Sequence, residues 1–150
     1  KVAEFRRGLP PELPAAREAL AAVVRGVREE LGLAANQIVL GGFSQGAMMA
    51  VEMALHLPEQ PAGLCLFSGA SVNETQWREK QAALAGIPVF QSHGQYDPIL
   101  PIAEGERLSR FLTEGGAKLT WAEFRGQHEI PPSALQGVAK FLAERLPAAL

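Results

Sequence analysis

Disulfide bonding within this chain is excluded by its cysteine count. The only thiol, Cys65, sits inside the apolar run "GLCLF", where it reads as core packing and fits a reducing, cytoplasmic compartment. Basic runs and interleaved aromatic and basic residues are missing too. With a formal net charge of −2, the chain offers neither the footprint of a nucleic-acid binder nor attraction to an acidic membrane surface. Long apolar runs are also lacking, because Glu52, His56 or prolines interrupt each candidate; no membrane span is expected, and no signal-peptide pattern opens the chain. The first residue is Lys1 rather than methionine, so a trimmed start is expected. There is no internal repeat or low-complexity tract, and the one proline-rich piece, "GLPPELPAA" at 8–16, reads as the lead-in to a helix. At 150 residues and 47% hydrophobic content, the chain can bury one ordinary core, which implies a single domain.

Helical and strand-like periods alternate along this core-forming sequence. Residues 12–31 place Leu20, Val23, Val24, Val27 and Leu31 on one helical face, with Gly32 as the stop. "QIVLGGF" (37–43) reads as a strand, and 45–57 as a helix that is apolar almost all round. The cycle repeats with a strand at 63–68, a helix at 73–84 opened by Asn73, and a strand at 88–93. A helix at 102–114 stopped by Gly115 and Gly116, a half-polar strand at 118–124 and a helix at 132–146 follow, the last burying Leu135, Val138, Phe141, Leu142 and Leu146. Strands alternating with helices predict an α/β fold, a mainly parallel sheet with helices on both faces. Ligands bind such sheets at the carboxyl ends of the strands. The junctions at 43–46, 68–73, 93–101 and 125–132 are therefore where chemistry should lie.

The first junction is "GFSQG" (42–46). A serine hydroxyl is a poor nucleophile at neutral pH and needs an exposed perch, an adjacent base and donors for the oxyanion. A sharp strand-to-helix turn provides the perch but crowds the positions two residues either side, which Gly42 and Gly46 occupy. The alternative, a tight glycine turn with an idle serine, is weakened because the pattern falls where a strand ends and a helix begins.

A nucleophile at Ser44 calls for an acid and then a histidine at later strand ends. Asp97, the only aspartate of the chain, directly follows a predicted strand; its other reading is turn initiation before Pro98. Glu104 and Glu106 are rivals whose helical placement points to a solvated face. Of the histidines, His56 ends a helix, where a partial positive charge is favoured. His93 precedes the acid and reads as a hydrogen-bonding residue that shapes the acid loop. His128, in "GQHEI", alone fits the order and would pass the serine proton through its ring. The three histidines and Cys65 show no metal-ligand spacing, so no metal is expected.

The segments "GGFSQGAM", "HGQYDPILP" and "GQHEI" resemble the three catalytic segments of the phospholipase/carboxylesterase family of α/β-hydrolases, which includes acyl-protein thioesterases and small bacterial carboxylesterases. The resemblance spans about residues 12–146. It implies a serine carboxylic ester hydrolase working through an acyl-enzyme, with Ser44 as nucleophile, Asp97 as acid, His128 as base and the Gln45 N–H as one oxyanion donor. No metal or organic cofactor is implied, and the partner is a small acyl ester, with thioesters and lysophospholipids among the substrates of some members. A non-catalytic binding module of the same fold is the rival reading. Family members carry an earlier strand whose His-Gly loop provides the second oxyanion N–H, and nothing before residue 38 reads as such a strand. The chain is thus expected to be the C-terminal half of the fold, with an apolar sheet edge open to shielding, for instance by a homodimer. Phe43, Ile99 and Leu100 are the candidates for substrate contact, beside an apolar cleft to which Trp77 could add. Met48 and Met49 read as core. No insertion long enough for a lid lies between strands, which points to an open site.

Overall fold

The computed structural model describes residues 11–145. Four strands, β1 (Val39–Phe43), β2 (Gly63–Phe67), β3 (Pro88–Gly94) and β4 (Lys118–Phe124), form one parallel sheet in the order β1-β2-β3-β4. The helix α1 (Leu13–Leu31) precedes it; α2 (Gln45–His56), α3 (Glu74–Glu79) and α4 (Ile102–Glu114) make the crossovers, and α5 (Pro132–Arg145) follows. Right-handed crossovers between strands laid down in sequence order put all three connecting helices on one face. The side chains obey that geometry. Leu64, Leu66 and Val89 pack with Val51, Trp77, Leu108 and Leu112 on the crossover side. Cys65 and Phe90, alternating with them along the strands, pack with Phe141 of α5 on the other. The Cys65 thiol is accordingly core, and burial pushes its pKa up to about 11.

Most element bounds match the periodicity, and the departures are informative. The helix expected at 73–84 is split into α3 and a 3-10 turn, Gln81–Leu84, because Lys80 leaves helical geometry at φ −108° and ψ 3°. Asn73 precedes α3 in the left-handed region at φ 42°, its amide donating to the Gln76 side chain rather than capping the backbone. Within α5, Phe141 is buried but Leu135 is exposed; Leu146 lies outside the described residues. Trp77 joins the core instead of a cleft. It is fully buried, packed on Phe111 with ring centroids 5.5 Å apart.

The apolar stripe of α1 is largely uncovered: Leu20, Val23, Val27 and Leu31 are 38%, 60%, 41% and 64% exposed. β1 is an edge strand, with Gly41 and Phe43 exposed. Between α1, β1 and α2 lies a hollow of about 400 Å³, bordered by Leu20, Val24, Leu40, Gln45 and Gly46. No described helix is long and apolar enough to cross a membrane.

What pins α1 to α2 is a buried carboxylate. Glu52 of α2 is 0% exposed; its Oε1 accepts from Arg17 Nη1 of α1 at 2.7 Å and its Oε2 from Trp77 Nε1 at 2.6 Å. Arg17 also donates to His56 Nε2 at 3.2 Å, which leaves the imidazole proton on Nδ1 to meet the Glu52 carbonyl at 2.9 Å. A carboxylate held this way is tolerated only with its partners in place. Glu52→Ala is therefore expected to lower the unfolding free energy by about 3–5 kcal/mol, and Glu52→Gln by less, as read from urea denaturation midpoints.

Candidate active site

Ser44 sits between β1 and α2 at φ 56° and ψ −116°, a strained conformation for a residue with a Cβ. Its N–H is anchored to the Phe67 carbonyl at 2.8 Å, at the end of the neighbouring strand, and its own carbonyl accepts from Ala47 N at 3.1 Å as α2 begins. Gly42 makes the turn feasible, since a Cβ there would lie 2.2 Å from the carbonyl carbon of Gly46. The crowding expected at Gly46 is not found. A Cβ built on Gly46 meets nothing within 4 Å, because that position borders the hollow beside α1. Gln45 is the first residue of α2, so no preceding helical turn provides an acceptor for its N–H.

Asp97 is buried in the loop after β3. Its Oδ1 accepts from the backbone N–H of Ile99 and of Leu100, each at 2.8 Å, and its Oδ2 faces His128 Nδ1 at 2.7 Å. Burial opposes charge on this carboxyl, but the bond from His128 and the N–H groups of Leu100 and Ile99 together hold its pKa below the usual carboxylate value. His128 Nε2 lies 2.9 Å from Ser44 Oγ. Carboxylate, imidazole and hydroxyl are thus joined in one hydrogen-bonded chain by residues 31 and 84 positions apart in sequence. With the carboxylate accepting the Nδ1 proton, the imidazole presents an acceptor to the serine hydroxyl.

The loop carrying His128 is fixed against the loop carrying Asp97. Gln95 N donates to the Phe124 carbonyl and Tyr96 N to the Gly126 carbonyl, both at 2.9 Å. Such closeness needs Gly94, where a Cβ would stand 2.2 Å from the Gln127 carbonyl oxygen.

The three side chains expected to contact substrate are placed differently from one another. Ile99 is 61% exposed beside the acid, whereas Leu100 is 6% exposed and gives the site its backbone. Phe43 is partly exposed and packs on the His128 ring, centroids 4.7 Å apart. Tyr96 and Ile130, exposed apolar residues on the Asp97 and His128 loops, were not singled out by pattern. The available signal was their adjacency to the acid and base segments. Among the described residues no group of three or more His, Cys, Asp or Glu side chains is placed to hold a metal ion.

Comparison with known proteins agrees with the fold. The chain is 32% identical over 145 residues to acyl-protein thioesterase 1 of Eremothecium gossypii, covering 91% of this chain and 60% of that protein. Against acyl-protein thioesterase 1 of Saccharomyces cerevisiae, identity is 29% over 133 residues, covering 85% of this chain and 59% of the relative. The chain therefore spans about three fifths of the length of these curated relatives. In solved structures it is similar to esterase PE8, with a TM-score of 0.80, 30% identity, and coverage of 89% of this chain and 62% of that one. The phospholipase/carboxylesterase family model matches residues 12–146, and with nearly the whole sequence so matched, this α/β-hydrolase-like chain belongs to that family.

Proposed function

We propose that the protein is a serine carboxylic ester hydrolase acting by acyl transfer. The observation that carries this reading is the unbroken chain from Asp97 through His128 to Ser44, at 2.7 and 2.9 Å. Ser44 Oγ attacks the ester carbonyl while its proton moves to His128 Nε2, and the imidazolium so formed is stabilised by the Asp97 carboxylate. Charge developing on the carbonyl oxygen is met by the Gln45 N–H and by a second donor. His128 then protonates the leaving alcohol, afterwards takes a proton from the attacking water, and returns it to Ser44 Oγ as the acyl–oxygen bond breaks and the acid leaves. Phe43, Ile99, Tyr96 and Ile130 offer the acyl chain an apolar, open rim, and no cofactor enters any step. Cys65, buried and reduced, is compatible with a cytoplasmic setting.

A second oxyanion donor would stand on the open side of β1, where a paired strand or a second copy of the protein would also cover the exposed stripe of α1. Losing one such donor costs about 10²- to 10³-fold in rate. A thioester substrate is the second reading within the class, favoured by the acyl-protein thioesterases among the relatives.

Four outcomes test these assignments on the intact protein. A fluorophosphonate probe is expected to label it covalently, with labelling abolished in Ser44→Ala; a folded but unlabelled protein would instead be a non-catalytic binding module. Asp97→Asn is expected to lower kcat on the order of 10³- to 10⁴-fold. The same residue sets a pH dependence of stability. Because the folded carboxyl titrates below its unfolded value of about 3.9, its contribution is fully present above roughly pH 5 and is lost as pH falls through the folded pKa. The acid-side fall in urea midpoint should accordingly be shallower in Asp97→Asn. An acyl-chain-length series comparing oxygen esters with thioesters separates the two substrate readings: higher kcat/KM for oxygen esters supports the esterase, and the reverse ratio supports the thioesterase.

A further inference from the structure

A second histidine lies behind the acid loop, outside the proposed reaction. His93 is the penultimate residue of β3 and is 0% exposed. Its Nε2 lies 2.8 Å from the Leu100 carbonyl oxygen, an atom that only accepts, so Nε2 carries the proton and donates it. Nδ1 has no hydrogen-bond partner among the described residues. The ring is flanked by Trp121, with centroids 6.5 Å apart and planes within 18°, and rests on α4 at Gly105, where a Cβ would stand 2.4 Å from Nδ1. Gln91, two residues earlier on the same face of β3, donates to the Gly105 carbonyl at 2.8 Å and fixes that turn of helix.

A pure packing role would be better filled by an apolar ring, which leaves no unpaired nitrogen in the core. What the imidazole adds is its one donated bond. That bond ends on the Leu100 carbonyl, and the Leu100 N–H is one of the two donors on Asp97 Oδ1. The far end of the loop that grips the carboxylate is thereby tied to β3 by a side-chain bond, in addition to the main-chain bonds of Gln95 and Asp97 at its start. His93 Nε2 is also 3.6 Å from Asp97 Oδ2, the oxygen turned to His128. This is beyond hydrogen-bond range, but it puts the positive end of an N–H dipole beside the charge.

We propose that His93, seated on Gly105, is a positioning residue for Asp97: through the Leu100 peptide it fixes the carboxylate rotation that aims Oδ2 at His128. This rests on the triad reading above. The test is a double-mutant cycle in the intact protein with His93→Phe and Asp97→Asn. His93→Phe keeps a ring of similar shape and deletes the donor. It is expected to lower kcat on the order of 10²-fold, the cost of misplacing a reacting group by about 1 Å, with KM within about twofold. His93→Gln, which restores a donor, should recover most of the loss. In the Asp97→Asn background His93→Phe should cost little more, since its effect passes through the carboxylate. A readout independent of turnover is the far-downfield proton resonance of the Nδ1 of His128 bonded to Asp97, which should weaken or move in His93→Phe and persist in His93→Gln.

Unchanged kcat and an unchanged downfield proton in His93→Phe would overturn the proposal, as would an equal cost in both backgrounds. Gly105→Ala moves the imidazole without removing any hydrogen-bonding atom, so full kcat in that variant overturns it even where His93→Phe does not fold. Failure of the triad reading is separable, because it shows as an unlabelled Ser44 in the unmutated protein.

Discussion

A side chain at position 42 would place its first carbon 2.2 Å from the carbonyl carbon of Gly46, so the end of β1 and the first turn of α2 meet backbone to backbone. That contact lets the chain reverse within one residue and holds Ser44 at φ 56°. The rest of the site is set out from this turn by a staircase of main-chain bonds. Ser44 N donates to Phe67 O at the end of β2, Ser68 N to Ser92 O on β3, and Gln95 N to Phe124 O at the end of β4. Each bond passes from one parallel strand to the next, so the loops carrying hydroxyl, carboxylate and imidazole leave the sheet at matched levels. Residues as far apart as 44 and 128 can then meet at 2.9 Å without any long flexible arm.

Two buried carboxylates show how the same chemistry is put to different ends. Glu52 is balanced by a full positive charge on Arg17 and by the Trp77 N–H, which fixes helices to one another. Asp97 has no arginine or lysine among its hydrogen-bond partners in the described residues. Its charge is held by two backbone N–H groups and by His128, so the mobile proton hydrogen-bonded to it is that of the His128 imidazole. A carboxylate answered by an arginine would have its field cancelled before it reached the ring. The partners around Asp97 instead keep it ionised while leaving its field directed at His128.

Ser44, Asp97 and His128 were legible because each falls where one periodicity ends and another begins, and because the parallel α/β pattern places such junctions at one edge of the sheet. Cys65 was legible as core from its apolar run, but "GLCLF" is apolar throughout, so the split of Leu64 and Leu66 from Cys65 between the two faces emerges only in the fold. The Arg17–Glu52–Trp77 cluster was not, since its bonds join residues 35 and 25 positions apart and a lone glutamate in an apolar helix carries no mark of its partner. Trp77 illustrates the ambiguity of an apolar residue near a junction, which composition alone leaves free to line a cleft or fill a core. The α1 stripe is the opposite case. Its period was read correctly, but periodicity tells which side of a helix is apolar and not whether a neighbour is present to cover it.

The exposed flank of α1 and Gln45, the proposed oxyanion donor, are on the same side of the molecule. Gln45 and Gly46 border the hollow that Leu20, Val24 and Leu40 also line, and β1 is the sheet's edge. On the β2 side, the Phe67 carbonyl already occupies the Ser44 N–H, and an oxygen lying there repels rather than binds an oxyanion. A second donor for the proposed mechanism therefore belongs on the β1 side. A strand paired there would satisfy the open polar edge, cover the apolar stripe of α1 and bring backbone N–H groups to the level of Ser44.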